Sequence, residues 1–252
     1  MSDPAPCTLI TGASSGIGAA ITRELAATRP VWLHGRNADA LDRLAATLPA
    51  DSVAGIWIQD FTAPAPAIRE SLASALAARR DHPVTHWVHA AALTTRMATR
   101  LPDADAMRDT LQVSLLSASA ILATLASRQT NAAALRSVLH VSSVAATHGV
   151  RGLAAYAAAK AALDAYLRCA AVEHAPRIRF NSLLPGAVRT DATAADFADP
   201  AVSERLAKRY PLGTGTPEQV ARAVRWLLSD DNNWMTGQSI PLDGGLTLDL
   251  TQ

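Results

Sequence analysis

Three residues in the second half of the chain could together transfer a proton to or from a small molecule. Tyr156 and Lys160 are four residues apart, so on a helix they would share one face. A free phenol has a pKa of about 10 and is a slow acid or base at neutral pH, but a neighbouring ammonium favours the phenolate. Ser143 follows an apolar run, and its hydroxyl could hydrogen-bond the reacting oxygen. Taken singly, these residues also fit a core ring, a solvated lysine and a strand end, and Ser142 is a rival to Ser143.

A glycine-rich segment near the start of the chain, residues 11–18, could bind the pyrophosphate of a dinucleotide. It follows the first predicted strand and opens the first predicted helix, so amides at the helix N-terminus would face the anion. Its spacing is G-x-x-x-G-x-G rather than G-x-G-x-x-G, and its position between strand and helix carries the interpretation. The glycines serve a tight turn, a close approach of the pyrophosphate and close helix packing. The predicted cofactor contacts in this segment are Gly12, Ser14, Ser15, Gly16, Ile17 and Gly18.

The end of the second predicted strand distinguishes between the two nicotinamide dinucleotides. An acidic residue there would hold a ribose 2′-hydroxyl and repel a 2′-phosphate, and the segment from His34 to Asn37 has none. Arg36 instead offers a guanidinium that suits a phosphate, although a solvated arginine at a strand end is the alternative. We therefore predict NADP(H), in preference to NAD(H), as the cofactor, with Arg36 and Asn37 among its contacts.

The apolar pattern predicts the elements that would position these residues. Short apolar runs alternate with longer helical patterns, which indicates βαβ units and a parallel sheet buried on both faces. Right-handed crossovers then give one α/β domain, residues 1–252, with a Rossmann-type doubly wound sheet and helices on both faces. The strandless segment of about 188–217 is expected to be a substrate lid. The predicted strands are 8–10, 31–33, 53–58, 84–89, 137–141, 178–183 and 239–242, and the clearest helices are 16–27, 38–48, 67–79, 104–128, 156–173 and 217–228.

Composition limits the possible partners. The chain has 252 residues, of which 49% are hydrophobic and 18% charged, and its formal net charge is +1, so no global field draws it to nucleic acid or an anionic membrane. No stretch is long and apolar enough to span a bilayer, and the first six residues carry no apolar signal core. Two distant cysteines do not make a metal or disulfide framework. These features predict a soluble cytoplasmic protein with a small-molecule substrate and neither a metal, a nucleic-acid nor a membrane partner.

Taken together in their order, the motifs resemble those of the short-chain dehydrogenase/reductase family, of roughly 250 residues. They are residues 11–18, Ser143, Tyr156 with Lys160, the stretch from Asn181 to Thr190 that contains Pro185 and Gly186, and residues 236–238 followed by 243–245. The resemblance implies a sheet of about seven strands and a homodimer or homotetramer. It also implies that Lys160 binds the nicotinamide ribose and that Tyr156 lies at the cofactor. The further implied cofactor contacts are Asp60 and Phe61 at the adenine, Ala90 and Ala91 after the fourth strand, and Pro185, Gly186, Val188 and Thr190 at the nicotinamide.

Two positions depart from the family's pattern. The family often has Asn-Asn-Ala-Gly after the fourth strand, where this chain has His89 followed by three alanines. This tract is expected to act through its backbone and small size. The family's fourth catalytic residue is an asparagine thought to hold a water that feeds protons to the lysine, and the matching position here is Ser114. Serine also binds water but lacks the amide. We therefore predict Ser114 as a catalytic residue with an altered or slower proton relay.

The reaction that the resemblance implies is the NADPH-dependent reduction of a carbonyl, with Tyr156 as the general acid. The predicted pocket is mostly small and apolar, which suits a ketone or diketone, and a 3-oxoacyl thioester remains open. One alternative is an NADP-dependent alcohol dehydrogenase that uses the same site in reverse. Another is a catalytically weak NADP(H)-sensing protein, which only the departures at Ala90 and Ser114 favour. The pocket candidates are Leu93, Thr94, Met97, Val144 and the segments 148–153 and 187–206.

Overall fold

The computed structural model describes residues 7–248 and contains one seven-stranded sheet. All neighbouring strands are parallel, in the order β3-β2-β1-β4-β5-β6-β7. The order reverses direction between β1 and β4, which is where such sheets bind ligands. The predicted Rossmann-type doubly wound fold is confirmed. The strands are β1 Cys7–Thr11, β2 Val31–Gly35, β3 Val53–Ile58, β4 Val84–His89, β5 Ser137–Val141, β6 Arg179–Pro185 and β7 Ser239–Leu242.

Helices cover both faces of the sheet, and each face has its own hydrophobic core. One core packs α3, α5 and α7 against the sheet, and the other packs α1, α2 and α10 against the opposite face. The strands are apolar almost throughout because both of their faces are covered. No helix within residues 7–248 is both long and apolar enough to cross a membrane. The helices are α1 Gly16–Ala26, α2 Ala38–Ala45, α3 Ala65–Ala77, α4 Ala104–Leu111, α5 Ser117–Leu125, α6 Arg128–Asn131, α7 Ala154–His174, α8 Ala194–Ala198, α9 Pro200–Arg209 and α10 Pro217–Leu228.

The prediction of one uninterrupted helix over residues 104–128 is wrong. A π-helical segment, Gln112–Leu116, separates α4 from α5, and the regular helix ends at Leu125. Apolar spacing could not reveal the π segment, because one wider turn changes the hydrogen bonds and leaves the apolar face almost unchanged. Such segments often occur at functional sites, and this one contains the buried Ser114.

The segment predicted as a lid has no strand, but it is not irregular throughout. It contains α8 and α9, and a single parallel bridge joins Val188 to Gly215 near its two ends. An ion pair of 2.6 Å between Arg96 and Asp196 connects α8 to the loop that follows β4. The segment therefore lies against a second loop at the carboxyl edge of the sheet.

Candidate active site

The glycine-rich turn after β1 is packed directly against the tract that follows β4. Gly12 has φ +75°, and a side chain there would come within 2.9 Å of the Ala91 backbone. The Ala90 amide donates a hydrogen bond to the Thr11 carbonyl at 3.0 Å. A side chain at Gly18 would approach the Gly12 carbonyl oxygen to 1.9 Å. Glycine is therefore required at positions 12 and 18, because the backbone of this turn and that of Ala90 and Ala91 leave no room for a side chain.

The N-terminus of α1 is suited to an anion. Ser15 precedes this helix with an extended backbone, but within residues 7–248 its side chain accepts no hydrogen bond from the first amides. These amides and the helix dipole favour a negatively charged group. A side chain at Gly16 would reach the Thr190 methyl at 3.4 Å, so the segment after β6 faces the glycine turn across a narrow gap. The bare backbone of this turn and the uncapped helix fit the pyrophosphate of a dinucleotide.

A cleft of about 520 Å³ opens beside the end of β2 and contains the residues predicted for the adenosine end of the cofactor. Asn37 caps α2 by accepting a hydrogen bond from the Ala40 amide at 3.0 Å. The pKa of Asp60 is lowered, mainly by the hydrogen bond from the Thr62 amide, and the Arg36 charge contributes to the shift. The residues that line the cleft are Arg36, Asn37, Ala38, Asp39 and Asp60.

Phe61 differs from the other predicted adenine contacts. Its ring is buried and stacks on His34 with a centroid separation of 4.1 Å and an interplanar angle of 11°. The side chain therefore belongs to the core, and only its backbone is left for the predicted cofactor contact.

The segment after β6 is held rigidly beside the site. The Gly186 amide donates to the Leu242 carbonyl at 3.1 Å, and a side chain at Gly186 would reach the Tyr210 ring at 2.8 Å. The Tyr210 hydroxyl accepts a hydrogen bond from the Ala187 amide at 2.7 Å. Thr190 begins the next 3₁₀ turn in a reciprocal cap with Thr193. The backbone from Pro185 to Thr190 is thus ordered along one wall of the gap.

Tyr156, Lys160 and Ser143, the three predicted catalytic residues with the strongest motif, lie near one another in the structure. Tyr156 and Lys160 lie on α7, and the Lys160 ammonium is 5.7 Å from the centre of the Tyr156 ring. Burial raises the pKa of Tyr156, and the nearby Ser143 hydroxyl only partly offsets that effect. The raised pKa means that the phenol keeps its proton at neutral pH. A protonated phenol is the form that donates to a carbonyl oxygen.

The choice between Ser142 and Ser143 is decided by their surroundings. Ser142 is buried and donates a hydrogen bond to Asp164 Oδ2 at 2.7 Å, so its hydroxyl is committed to the interior. Ser143 is half-buried, and its oxygen accepts a hydrogen bond from the Ala145 amide at 3.1 Å. That contact fixes the side chain and leaves its hydrogen available, so Ser143 is the serine that can donate to a substrate oxygen.

Lys160 is almost completely enclosed, with 1% of its surface exposed. Its Nζ donates to the Val141 carbonyl at 2.6 Å and lies 3.2 Å from His140 Nε2. Burial lowers the pKa of Lys160 to about 8, and the Asp164 charge acts in the opposite direction. The sequence did not identify His140 or Asp164 as site residues. The available signals were a histidine in an apolar strand and a carboxylate one turn after Lys160.

Ser114 lies in the π segment, which packs against α7. Within residues 7–248, its buried Oγ has no hydrogen-bonding partner, and neither has the buried Nε2 of His89 at the end of β4. Burial keeps the pKa of His89 well below its usual value, although the Ser114 carbonyl acts in the opposite direction. Buried polar atoms are rarely left unpaired. Ser114 Oγ and His89 Nε2 are therefore two buried polar atoms that a bound water would satisfy.

The predicted substrate pocket is built from three loops. The Met97 amide donates to the Gly152 carbonyl at 3.0 Å, which joins the loop after β4 to the turn before α7. The Arg189 guanidinium lies 4.4 Å above the Phe197 ring and holds α8 against the segment after β6. His148 is exposed and pairs with the Thr147 hydroxyl at 2.9 Å. The Met97–Gly152 hydrogen bond and the Arg96–Asp196 ion pair together place the three predicted pocket segments beside one another.

Known proteins resemble this chain in sequence and in fold. A family model described as enoyl-(acyl carrier protein) reductase matches residues 12–247. A short-chain type dehydrogenase/reductase from Mycobacterium ulcerans superposes with a TM-score of 0.86 and 31% identity, over 98% of this chain and 92% of that chain. An oxidoreductase of the short-chain dehydrogenase/reductase family from Burkholderia thailandensis gives a TM-score of 0.82 and 30% identity, over 97% and 94%.

Curated relatives match over a shorter segment. The 3beta-hydroxysteroid dehydrogenase 1 of Eggerthella lenta is 44% identical over 80 residues, which is 31% of this chain and 31% of that protein. The L-rhamnose 1-dehydrogenase (NAD(P)(+)) of Azotobacter vinelandii is 39% identical over 83 residues, or 32% of each chain. The matched segment thus spans about a third of each relative.

Proposed function

Because the chain belongs to the short-chain dehydrogenase/reductase family of oxidoreductases, which use a nicotinamide cofactor, we propose that it is an NADPH-dependent carbonyl reductase. The observation that carries this proposal is the position of Tyr156 beside Ser143 and the Lys160 ammonium, where burial raises the pKa of its phenol. The proposed substrate is a modest apolar ketone or diketone, or a 3-oxoacyl thioester, because the predicted pocket segments are mostly small and apolar.

The proposed mechanism assigns each side chain a separate task. When bound, the reduced nicotinamide supplies the hydride that the carbonyl carbon gains. Ser143 donates a hydrogen bond to the carbonyl oxygen and stabilises the charge that develops there. Tyr156 Oη gives its proton to that oxygen, which completes the alcohol and leaves a phenolate. The Lys160 ammonium stabilises that phenolate until a proton returns from solvent.

The cofactor preference rests on the cleft beside β2. Among the described residues that line this cleft, Arg36 is the only cation. The carboxylates of Asp39 and Asp60 line it as well. The preceding Gly35 is closely packed, since a side chain at this position would lie 3.1 Å from Ser14 Oγ. A guanidinium pairs with a phosphate through charge-assisted hydrogen bonds. We therefore propose that Arg36 binds the 2′-phosphate of NADP(H).

Arg36→Leu should weaken NADPH binding about tenfold to a hundredfold and leave NADH binding almost unchanged, because one charged hydrogen-bonding partner is lost. Fluorescence titration of each cofactor measures both dissociation constants. Arg43→Leu is the matched control, since Arg43 is an exposed arginine on α2 that does not line the cleft. If the unaltered protein binds NADH more tightly than NADPH, the interpretation of Arg36 is wrong.

The proposed activity is tested by following NADPH and NADH oxidation with ketones, diketones, quinones and 3-oxoacyl thioesters. Enoyl thioesters belong in the same set because the matching family model is described as a reductase of such a substrate. Turnover that is confined to one carbonyl class and prefers NADPH would support the proposal. Cofactor binding without turnover on any of these compounds would instead favour the NADP(H)-sensing alternative.

A second candidate function is the oxidation of an alcohol by the same site in reverse. It is favoured by the names of the curated relatives, which are a hydroxysteroid dehydrogenase and sugar dehydrogenases. Tyr156 would then act as a base, and the pKa that burial raises makes that role slower at neutral pH. Incubation with NADP⁺ and steroid or sugar alcohols distinguishes this direction from carbonyl reduction.

The role of Ser114 is tested by restoring the family's asparagine. Ser114→Asn should raise kcat several-fold and broaden its pH profile, because proton transfer typically contributes about 10²–10⁴-fold to catalysis and an amide holds a bound water at two ends. Steady-state kinetics across pH 6 to 10 measure both effects. Ser119→Asn, on the neighbouring helix α5, is the matched control. An unchanged kcat and pH profile would remove Ser114 from the proposed relay.

We also propose that the protein forms a homodimer or homotetramer. Apolar side chains of α7 are exposed on the isolated chain, including Val172, with 81% of its surface accessible, and Tyr166. A second copy of the chain would cover them.

A further inference from the structure

A continuous chain of buried polar groups lies behind Lys160. His140 Nε2 is 3.2 Å from Lys160 Nζ, and His140 Nδ1 is 2.8 Å from Asp164 Oδ1. The second Asp164 oxygen accepts a hydrogen bond from Ser142 at 2.7 Å. The imidazole and the ammonium are almost fully buried, and the carboxylate is nearly so. The proposed reaction uses Lys160 but assigns no task to these partners.

The contacts define the proton on each group. An ammonium can only donate, so His140 Nε2 must be the acceptor in its contact with Lys160. The proton of a neutral imidazole then sits on Nδ1, where it is donated to Asp164. Burial and the Lys160 charge lower the pKa of His140 to about 4, so the ring stays neutral. The pKa of Asp164 is also lowered, because hydrogen bonds from His140, Ser182 and Ser142 outweigh its burial.

The described titratable groups around Lys160 are neutral except for the Asp164 carboxylate. Tyr156 faces it from α7 as a neutral phenol, and the neutral rings of His140 and His89 lie on β5 and β4. Among residues 7–248, Asp164 is the charge that raises the pKa of Lys160 against its burial. A buried charge without a partner is costly and tends to neutralise. The carboxylate therefore supports the ammonium through the intervening imidazole.

We propose that His140 and Asp164 are positioning residues that anchor the Lys160 ammonium and keep it charged in the interior. His140 fixes Nζ between its own Nε2 and the Val141 carbonyl, which leaves the third N–H free to face Tyr156 and the ribose of a bound cofactor. Asp164 supplies the negative charge and fixes the imidazole tautomer. The effect on catalysis rests on the proposed function, whereas the effect on the lysine charge does not.

The sequence makes this proposal directly measurable because the chain contains only two lysines, Lys160 and Lys208. Protein labelled with ¹³C-lysine gives two sets of side-chain resonances, and Lys208 on α9, which pairs with Glu204 at the surface, is the internal reference. In the cofactor-free protein the Lys160 resonance should titrate near pH 8. Asp164→Asn, which removes the charge and keeps the shape, should move that midpoint down by roughly one pH unit.

A matched pair at the histidine separates anchoring from packing. His140→Gln keeps a polar group near Nε2, whereas His140→Phe fills the same space without an acceptor. The midpoint should therefore fall in the Phe variant and be largely restored in the Gln variant. Asp164→Glu retains the charge and should stay closer to the parent than Asp164→Asn. If Asp164→Asn does not fold, the two His140 variants provide the same test.

The kinetic readout is the alkaline limb of kcat. In Asp164→Asn this limb should shift to lower pH by the same amount as the NMR midpoint. On the alkaline side, kcat should fall about tenfold for each pH unit of that shift. NADPH binding at pH 7 should be retained. An unchanged midpoint in both Asp164→Asn and His140→Phe would overturn the proposal. A shifted midpoint in a protein without reductase activity would support it and count against the proposed function alone.

Discussion

Tyr156→Phe should lose about a thousandfold in kcat for carbonyl reduction, because it removes the general acid and proton transfer of this kind contributes 10²–10⁴-fold. The ring, which is largely buried near the start of α7, is kept by the substitution, so the fold and the cofactor site should persist. Steady-state kinetics with the best carbonyl substrate measure the loss. Fluorescence titration should give the same NADPH dissociation constant as in the parent protein.

Tyr166→Phe is the control for this prediction, since it deletes the same hydroxyl from a half-exposed ring on the same helix. Its kcat should match that of the parent. If Tyr156→Phe retains more than a tenth of the parent kcat, another group supplies the proton and Tyr156 has been assigned the wrong role. A loss of NADPH binding in the variant would mean that the ring holds the cofactor instead.

The sheet and the glycine turn could be predicted from sequence because their patterns are local. Strands such as Val84–His89, buried on both faces, show as apolar runs whatever their neighbours. Gly12 and Gly18 are required by contacts of the backbone with itself and with Ala91, so their spacing is visible without knowledge of the side chains. Strand ends meet at one edge of a parallel sheet, which is why Ser143 could be placed beside Tyr156.

What the sequence did not reveal depends on contacts between distant elements. His140 lies in an apolar strand and Asp164 in an apolar helix, and only their packing shows that they form a pair. The π segment around Ser114 leaves the apolar spacing unchanged. The pKa of Tyr156 follows from burial, which no spacing gives. These features determine which side chains hold a proton and how they are aligned. Both depend on distances of a few ångströms between side chains of different elements.

Acid should destabilise this protein severely, because four buried histidines must stay neutral in the folded state. Burial lowers the pKa of His34 and of His86 to about 3, that of His140 to about 4, and that of His89 to well below its ordinary value. In the unfolded chain each ring would bind a proton near its usual pKa of about 6.5. The stability contributed by these rings is therefore complete above that pH and is lost as the pH falls from about 6.5 toward the folded values.

The expected loss is comparable with the whole stability of the fold. At pH 5 the proton that each ring binds only in the unfolded chain lowers the free energy of unfolding by about 2 kcal/mol, or about 8 kcal/mol for the four, against a typical total of 5–15 kcal/mol. His34 makes the effect relevant to function. Its Nε2 donates to the Gln59 carbonyl at 3.0 Å, and its Nδ1 accepts from the Gly12 amide at 3.3 Å. Protonation would remove the support that this ring gives to the glycine turn.

Urea unfolding measured between pH 7.5 and pH 4.5 tests this argument. The free energy of unfolding should fall by about 5 kcal/mol per pH unit near pH 5, the slope for four extra protons bound by the unfolded chain. His86→Gln should lower that slope by about one proton, whereas His148→Gln, at an exposed ring, is the matched control. Equal stability at pH 7.5 and pH 5 would mean that these rings are charged in the folded state, and the tautomer assigned to His34 beside the glycine turn would then be wrong.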